Sequence, residues 1–179
     1  RRAQAVYEYL AKVEKLPLVD SEGNLAGLIT SKDVMKGHGT NGAATDGKGR
    51  LRVGAAIGVK PGFLERASAL VDAGCDVLVV DIAHGHSDVA LNTITAVRTS
   101  LGDVELIAGN VATGEGTADL VSAGVDAVKV GVGPGSICTT RIVTGSGVPQ
   151  FTALLDCAEA AADVPLIADG GVKVSGDIT

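Results

Sequence analysis

No stretch of this 179-residue sequence approaches the roughly eighteen consecutive apolar residues that a membrane-spanning helix needs. Its start has no basic-then-apolar segment of the secretory kind. Positive charge is not in excess either: 15 lysines and arginines stand against 21 aspartates and glutamates, a net charge of -6. That balance argues against a nucleic-acid surface, which is ordinarily basic. It leaves room for a small phosphorylated ligand, because backbone N–H groups can hold an anion without any lysine. Cysteine is scarce, and Cys75, Cys138 and Cys157 have neither metal-ligand spacing nor an even count. Reduced thiols in a cytoplasmic compartment fit that pattern. What is present is a globular composition, 46% apolar in short runs and 20% charged, long enough to build a sizeable core in one domain or two. The chain opens without methionine and stops just after "SGDIT", which reads as a piece of something longer.

From Val53 onward one plan repeats. Short apolar runs, "VGAAIGV", "VLVV", "ELIAG", "AVKVGVG" and "PLIADGG", alternate with alanine-rich stretches of helical period. After Pro61, the residues Phe63, Ala67, Leu70, Val71 and Gly74 fall on one helical face; after Asp88, so do Ala90, Ile94 and Val97. Apolar strands that run on rather than alternate predict burial on both faces, as in a parallel sheet covered by helices. The segment "LVDAGCDVLVV" returns as "LVSAGVDAVKV", each reading as a helix end, a glycine stop and the next strand.

Strands at this spacing fit either an eight-fold βα barrel or an open doubly wound sheet. The polar residues favour the barrel. Asp81, Asn110, Gly131 and Asp169 each follow an apolar run, at the carboxyl ends where barrel enzymes build their sites. The expected class is α/β, a partial (β/α)8 barrel over residues 52–179, since five strands cannot close one alone.

The first 36 residues read differently. Residues 2–12 predict an amphipathic helix, "KLPLVD" a short strand, and "EGNLAGLIT" a turn at Gly23-Asn24 with a return strand. Thr30 or Ser31 then reads as a helix N-cap with Asp33 in the first turn. The glycine- and charge-rich "KGHGTNGAATDGKGR" reads as a linker. The expected division is 1–36, a linker over 37–51, and the repeating unit over 52–179.

Most informative is "KVGVGPGSICTTR", residues 129–141, with glycine at 131, 133 and 135 directly before Ser136 and Cys138. Such glycines permit close approach of a ligand to the backbone. Successive N–H groups can hold an anion, and successive carbonyls a cation. Cys138 is a candidate nucleophile if its surroundings stabilise the thiolate, and otherwise one more buried thiol. Cys75, before a strand, and Cys157, inside an alanine-rich helix, read as structural.

These motifs closely resemble the IMP dehydrogenase family: "GVGPGSICTTR", with "VVDIAHGHS", "IAGNVAT", "GVPQFTA" and "IADGGVKVSGDI" in the same order across nearly the whole chain. The segment "KLPLVDSEGNLAGLITSKDV" resembles the end of the CBS-domain insert of that family, so that 1–36 would be the last part of a CBS domain. The resemblance implies oxidation of IMP to XMP with reduction of NAD, the committed step towards guanine nucleotides. It makes Cys138 the nucleophile that attacks C2 of the purine and forms a covalent thioimidate, with Thr140 helping to handle the hydrolytic water. Ser136, Gly170 and Gly171 would hold the IMP phosphate, Asp169 its ribose, and Asn110 would lie beside the nucleotide. Asp81 would contact the NAD ribose, with Gly131, Val132 and Gly133 at the nicotinamide end. The carbonyls of Gly133, Gly135 and Cys138 would supply half of a potassium site. The other half would come from a neighbouring subunit of a homotetramer. Adenine or guanine nucleotide effectors at the CBS insert are implied as well, while neither nucleic acid nor membrane is expected as a partner.

His84 and His86 read as loop positions, and Lys129 and Lys173 as supporting or solvated side chains rather than catalytic ones. Ile82 stands where the family usually has a small hydroxyl residue, and Ser146 where it usually has valine. The resemblance also puts the first barrel strand, most of the CBS insert and the flap with its water-activating arginine outside these residues. Turnover by this stretch alone is therefore not expected. The nearest alternative is GMP reductase, which converts GMP to IMP with NADPH. "GVPQ", "IADGG" and "KVSGD" favour the dehydrogenase. A regulatory nucleotide-binding module, with Thr30 and Asp33 at an adenine nucleotide, and a barrel that binds nucleotide without turnover remain as further alternatives.

Overall fold

The computed structural model describes residues 14–32 and 42–179, and the chain divides into two units, Arg1–Leu51 and Arg52–Thr179. In the first unit β1 (Lys15–Val19) and β2 (Leu25–Thr30) pair antiparallel. Asp20 closes their turn: its Oδ1 accepts the N–H groups of Glu22 and Asn24, each at 2.9 Å. The bond from Asn24 leads in holding its carboxyl below the usual range. Asp46 repeats the device, accepting the N–H groups of Lys48 and Arg50 and so closing the turn bridged by Thr45 and Leu51. The helix expected over 2–12 lies outside the described residues. Of the helix expected after Thr30, only Ser31 and Lys32 fall inside them.

The second unit alternates strands and helices: β3 (Gly54–Ile57), α1 (Phe63–Asp72), β4 (Val77–Asp81), α2 (Asp88–Leu101), β5 (Glu105–Val111), α3 (Gly114–Ser122) and β6 (Ala127–Val130). The short α4 (Thr140–Thr144) and α5 (Gln150–Ala160) come next, before β7 (Leu166–Ala168) and a 3-10 turn at Ser175–Asp177. Every strand pair is parallel and the spatial order is the chain order, β3-β4-β5-β6-β7. A doubly wound sheet would reverse direction at a switch point. Sequential winding is what a βα barrel does, and the sheet is consistent with part of one.

The repeat detected in the sequence builds the same joint twice. At the end of α1, Gly74 N–H donates to Val71 and Cys75 N–H to Leu70; at the end of α3, Gly124 donates to Val121 and Val125 to Leu120. This is the Schellman arrangement, and it needs the left-handed backbone that Gly74 (φ 88°) and Gly124 (φ 97°) adopt without strain. The next residue but one is aspartate in both copies. Asp76 Oδ2 accepts the N–H of Val53 and Asp126 Oδ2 that of Leu106, each at 2.7 Å. Each carboxylate so ties the start of its own strand to the start of the one before.

The core lies on one face of the sheet. Leu78 and Val80 of β4, Leu106 and Ala108 of β5, and Val128 and Val130 of β6 are buried against Ala67, Ile94, Val97, Leu120, Ala153 and Cys157 of the helices. Burying a side chain of the valine–leucine class contributes roughly 1.5–3 kcal/mol, so this face dominates stability. Burial on both faces was the expectation, and the opposite face departs from it. There Val77, Val79, Ile107 and Lys129 are only half-buried, the face that in a closed barrel packs against side chains of the other strands. Helices α2 and α3 begin at N-caps, Ser87 and Thr113, whose hydroxyls accept the N–H groups of Ala90 and Gly116.

Candidate active site at the carboxyl ends of the strands

The half-covered face ends in charge. Lys129 is the single charged residue in β6, and its register partner in β5 is Gly109, whose partner in β4 is Asp81. A Cβ at Gly109 would lie 2.3 Å from the Lys129 carbonyl oxygen and 2.7 Å from its Cβ, so only glycine fits between them. The Lys129 side chain, 17% exposed, places Nζ 2.9 Å from Asp81 Oδ1 and 2.9 Å from Asp169 Oδ2. Burial pulls the Lys129 pKa down, but the bonds to Asp169 and Asp81 outweigh it and leave the pKa raised.

Asn110, next to last in β5, completes the network. Its Nδ2 donates to the Gly131 carbonyl at 2.8 Å and to Asp169 Oδ2 at 2.9 Å. That bond, followed by the one from Lys129, holds the Asp169 carboxyl below its usual range. Asn110 Oδ1 is buried and has no partner.

The glycine-rich loop leaves β6 at Gly131, whose φ of 148° suits glycine alone; a Cβ there would sit 2.5 Å from the Asp169 carbonyl oxygen. Arg141 lies over the loop, filling the space a Cβ at Gly133 or Gly147 would need, and its Nη2 donates to the Val148 carbonyl at 2.7 Å. Cys138 Sγ is 3.3 Å from Thr140 Oγ1 at the start of α4. The thiol donates in that pair, and once ionised its sulfur accepts from the same hydroxyl. Its pKa is drawn below the ordinary thiol value by the Thr140 hydroxyl first and the Thr140 N–H second, with the nearby Arg141 charge adding to them. The other thiols differ. Burial pushes Cys157 up, while Cys75 donates to the Val53 and Val77 carbonyls.

A cavity of about 270 Å³ is bounded by Asp81, Asn110 and the Gly131–Val132–Gly133 backbone, together with Cys138 and Thr140. Ile82 also faces it. Asp169 joins through Asn110 and Lys129. A second cluster forms where the chain returns from β7: a Cβ at Gly170 would lie 3.1 Å from Gly135 Cα and N, so the two backbones cross in contact, with exposed Ser136 the next residue along. Gly171 packs on Gln150 and Pro134. The Gly135 carbonyl accepts the Cys138 N–H at 3.1 Å. Among the described residues no three histidine, cysteine or acidic side chains cluster as metal ligands.

Two residues of this region, Gln150 and Arg141, escape a reading of the sequence, and a third, Lys129, gains partners that the sequence did not name. Lys129, read as a supporting or solvated side chain, is the hub of the carboxylate pair; a lone charge inside an apolar strand was the signal for it. Gln150, in "GVPQ", is buried and donates to the Val130 carbonyl at 2.7 Å. Arg141 was signalled only by the glycines it covers. His86, in contrast, pairs with Asp119 of α3 at 2.8 Å and does not line the cavity.

A family model described as "IMP dehydrogenase / GMP reductase domain" matches residues 3–179. The inosine-5'-monophosphate dehydrogenase of Nitrosopumilus maritimus is 58% identical over 170 residues, 94% of this chain and 36% of that protein. The GMP reductase of Leishmania donovani is 54% identical over 171 residues, 93% of this chain and 35% of the relative. A crystal structure of GMP reductase from Trypanosoma brucei superposes with a TM-score of 0.78 at 47% identity, covering 98% of this chain and 40% of that one. The chain spans about a third of the length of the curated relatives it matches.

Proposed function

Because this chain belongs to the IMP dehydrogenase / GMP reductase family, we propose that its cavity holds a purine nucleotide and that Cys138 attacks C2 of IMP. The observation that carries the reading is the thiol itself. It sits at the cavity beside Thr140, with its pKa drawn down by that residue, as a nucleophile requires. The sulfur forms a bond to C2 and hydride leaves from the same carbon. Water then displaces the sulfur from the resulting thioimidate, releasing XMP and returning the thiol. Splitting the displacement in two lowers each barrel-site barrier relative to a single step.

Each neighbour has a role its geometry supports. Thr140 donates to the thiolate before attack and stays within reach of the water that follows. Asp169, kept ionised by Asn110 and Lys129, accepts from the nucleotide ribose hydroxyls. Ser136, Gly170 and Gly171 hold the phosphate at the crossing of the two loops. Asp81 accepts from the ribose of the second nucleotide. NAD, when bound, supplies the acceptor for the departing hydride. The residues fit it: Asn110 Oδ1 is an unpartnered buried acceptor at the cavity, which a carboxamide N–H can satisfy, and Gly131 and Gly133, which lack side chains, flank Val132 and would let the ligand approach the backbone there. Carbonyl oxygens of Gly133, Gly135 and Cys138 are hard donors of the kind potassium takes, and they would hold it where the loop turns. In the complete protein we place residues 1–36 at the end of a CBS domain, 37–51 as the linker and 52–179 within the catalytic barrel. That protein would be a cytoplasmic homotetramer with adenine or guanine nucleotide effectors at the insert.

The test is an acid quench. The full-length protein incubated with IMP and NAD carries a mass adduct on the peptide containing Cys138; turnover without that adduct would refute the assignment. The GMP reductase reading is kept by the 54% identity to the Leishmania donovani enzyme. Consumption of NADPH with GMP, and no reduction of NAD with IMP, would favour it.

A further inference from the structure

Gln150 takes no part in the chemistry above, yet the residue is only 7% exposed at the first position of α5. A buried amide is costly unless its polar atoms are matched. Its Nε2 donates to the Val130 carbonyl at 2.7 Å. That carbonyl also accepts the Asp169 N–H at 2.9 Å, so both lone pairs of the last residue of β6 are occupied. The rest of the side chain fills space that glycines leave open. A Cβ at Gly171 would lie 2.8 Å from Gln150 Cβ, and one at Gly131 would lie 3.1 Å from its Oε1. Oε1 itself is buried without a partner. One side chain thus lies against the first residue of the cysteine loop, the carbonyl that anchors Asp169, and Gly171 of the glycine pair after β7.

We propose that Gln150 is a positioning residue that fixes the cysteine loop relative to the Gly170–Gly171 turn, so that the thiol and the phosphate-holding backbone stand at the separation one nucleotide requires. This rests on the reading of Cys138 and the glycine pair as the two ends of the nucleotide site. Packing alone cannot do it. An apolar side chain of the same length fills the space beneath Gly131 and Gly171 but holds no carbonyl.

The unpartnered Oε1 separates positioning from stability. Gln150→Met removes one hydrogen bond and one unsatisfied acceptor together, and the Val130 carbonyl keeps the Asp169 N–H, so the folded state stays close to wild type. The experiment measures how much IMP half-protects Cys138 of the full-length protein from iodoacetamide, read as the mass of its peptide, beside a urea unfolding curve. Wild type is protected. Gln150→Met needs about five- to tenfold more IMP, the equivalent of one net hydrogen bond, at an unchanged urea midpoint. Gln150→Glu adds a signature that a packing role lacks. Its carboxylate cannot donate to Val130, but its protonated form can, and burial raises the pH at which it protonates. Protection in that variant therefore recovers as pH falls, while Gln150→Met shows no such recovery relative to wild type. Wild-type protection in Gln150→Met, or a Gln150→Glu deficit that ignores pH, overturns the inference alone. Failure of IMP to protect even wild type overturns the functional reading and this inference with it.

Discussion

Replacing Lys129 by methionine tests whether the lysine holds the two strand-end carboxylates together. Methionine keeps the length of the side chain and removes its charge. Two ion pairs disappear, each 2.9 Å long in the native structure. A hydrogen bond to a charged group contributes roughly 1.5–3 kcal/mol when buried. Here the lysine is 17% exposed while Asp81 and Asp169 are 46% and 45% exposed, so solvent screens both pairs and the figure falls towards about 1 kcal/mol each. Loss of the cation also leaves Asp81 and Asp169 facing one another as like charges, and Asn110 alone then supports Asp169. We expect Lys129→Met to lower unfolding free energy by about 1–2 kcal/mol at neutral pH. Urea unfolding of wild type, Lys129→Met, Asp169→Asn and the double variant measures it.

The cycle should show a coupling of about 1 kcal/mol between positions 129 and 169. Its pH dependence has a fixed sign. Asp169 has a depressed pKa, so its contribution is present above the ordinary carboxyl value of 3.8 and is lost as pH falls through the native one. Lys129 has a raised pKa, so its contribution is present below 10.5 and is lost as pH rises through the native value. The penalty for Lys129→Met should therefore be flat between those limits. Additivity of the two single variants within about 0.3–0.5 kcal/mol would refute the bridging role.

Other perturbations are as direct. Thr140→Val removes the hydroxyl that leads in lowering the Cys138 pKa, so the pH midpoint for iodoacetamide alkylation should move upward; an unmoved midpoint would assign the thiolate to other groups. Gly131→Ala puts a methyl 2.5 Å from the Asp169 carbonyl at a φ of 148°, and strain of this kind costs on the order of 1–3 kcal/mol. Thermal unfolding should show that loss, whereas Gly176→Ala, with nothing within 4 Å of the added carbon, should be close to neutral.

The architecture was legible because its signals are local. A glycine stop followed by an aspartate, twice, marked two helix-to-strand joints, and apolar runs marked the strands. Asp81, Asn110, Gly131 and Asp169 could be placed at the strand ends because period and position put them there. A supporting role for Lys129 was open in the sequence but its two partners were not, since the bridge depends on Gly109 standing in register between Lys129 and Asp81, a relation between three strands. The role of Gln150 was hidden for the same reason: its partners are Val130, Gly131 and Gly171, which no spacing rule connects to it. Helix α4 was unforeseen because its five residues give no period to read. What covers the second face was not legible, because an apolar run does not say whether helices or the strands of a closing barrel lie on it.

Asp76 and Asp126 both fasten neighbouring strands at their amino ends, the floor opposite the cavity. Alignment between strands is thus set far from the rim. At the rim, Gly131 and Gly133 are held by their close approaches to Asp169 and Arg141, but they need not also set which residues lie side by side below them. In the two strand pairs tied in this way, β3 with β4 and β5 with β6, the frame is fastened at one end and the cavity is built at the other.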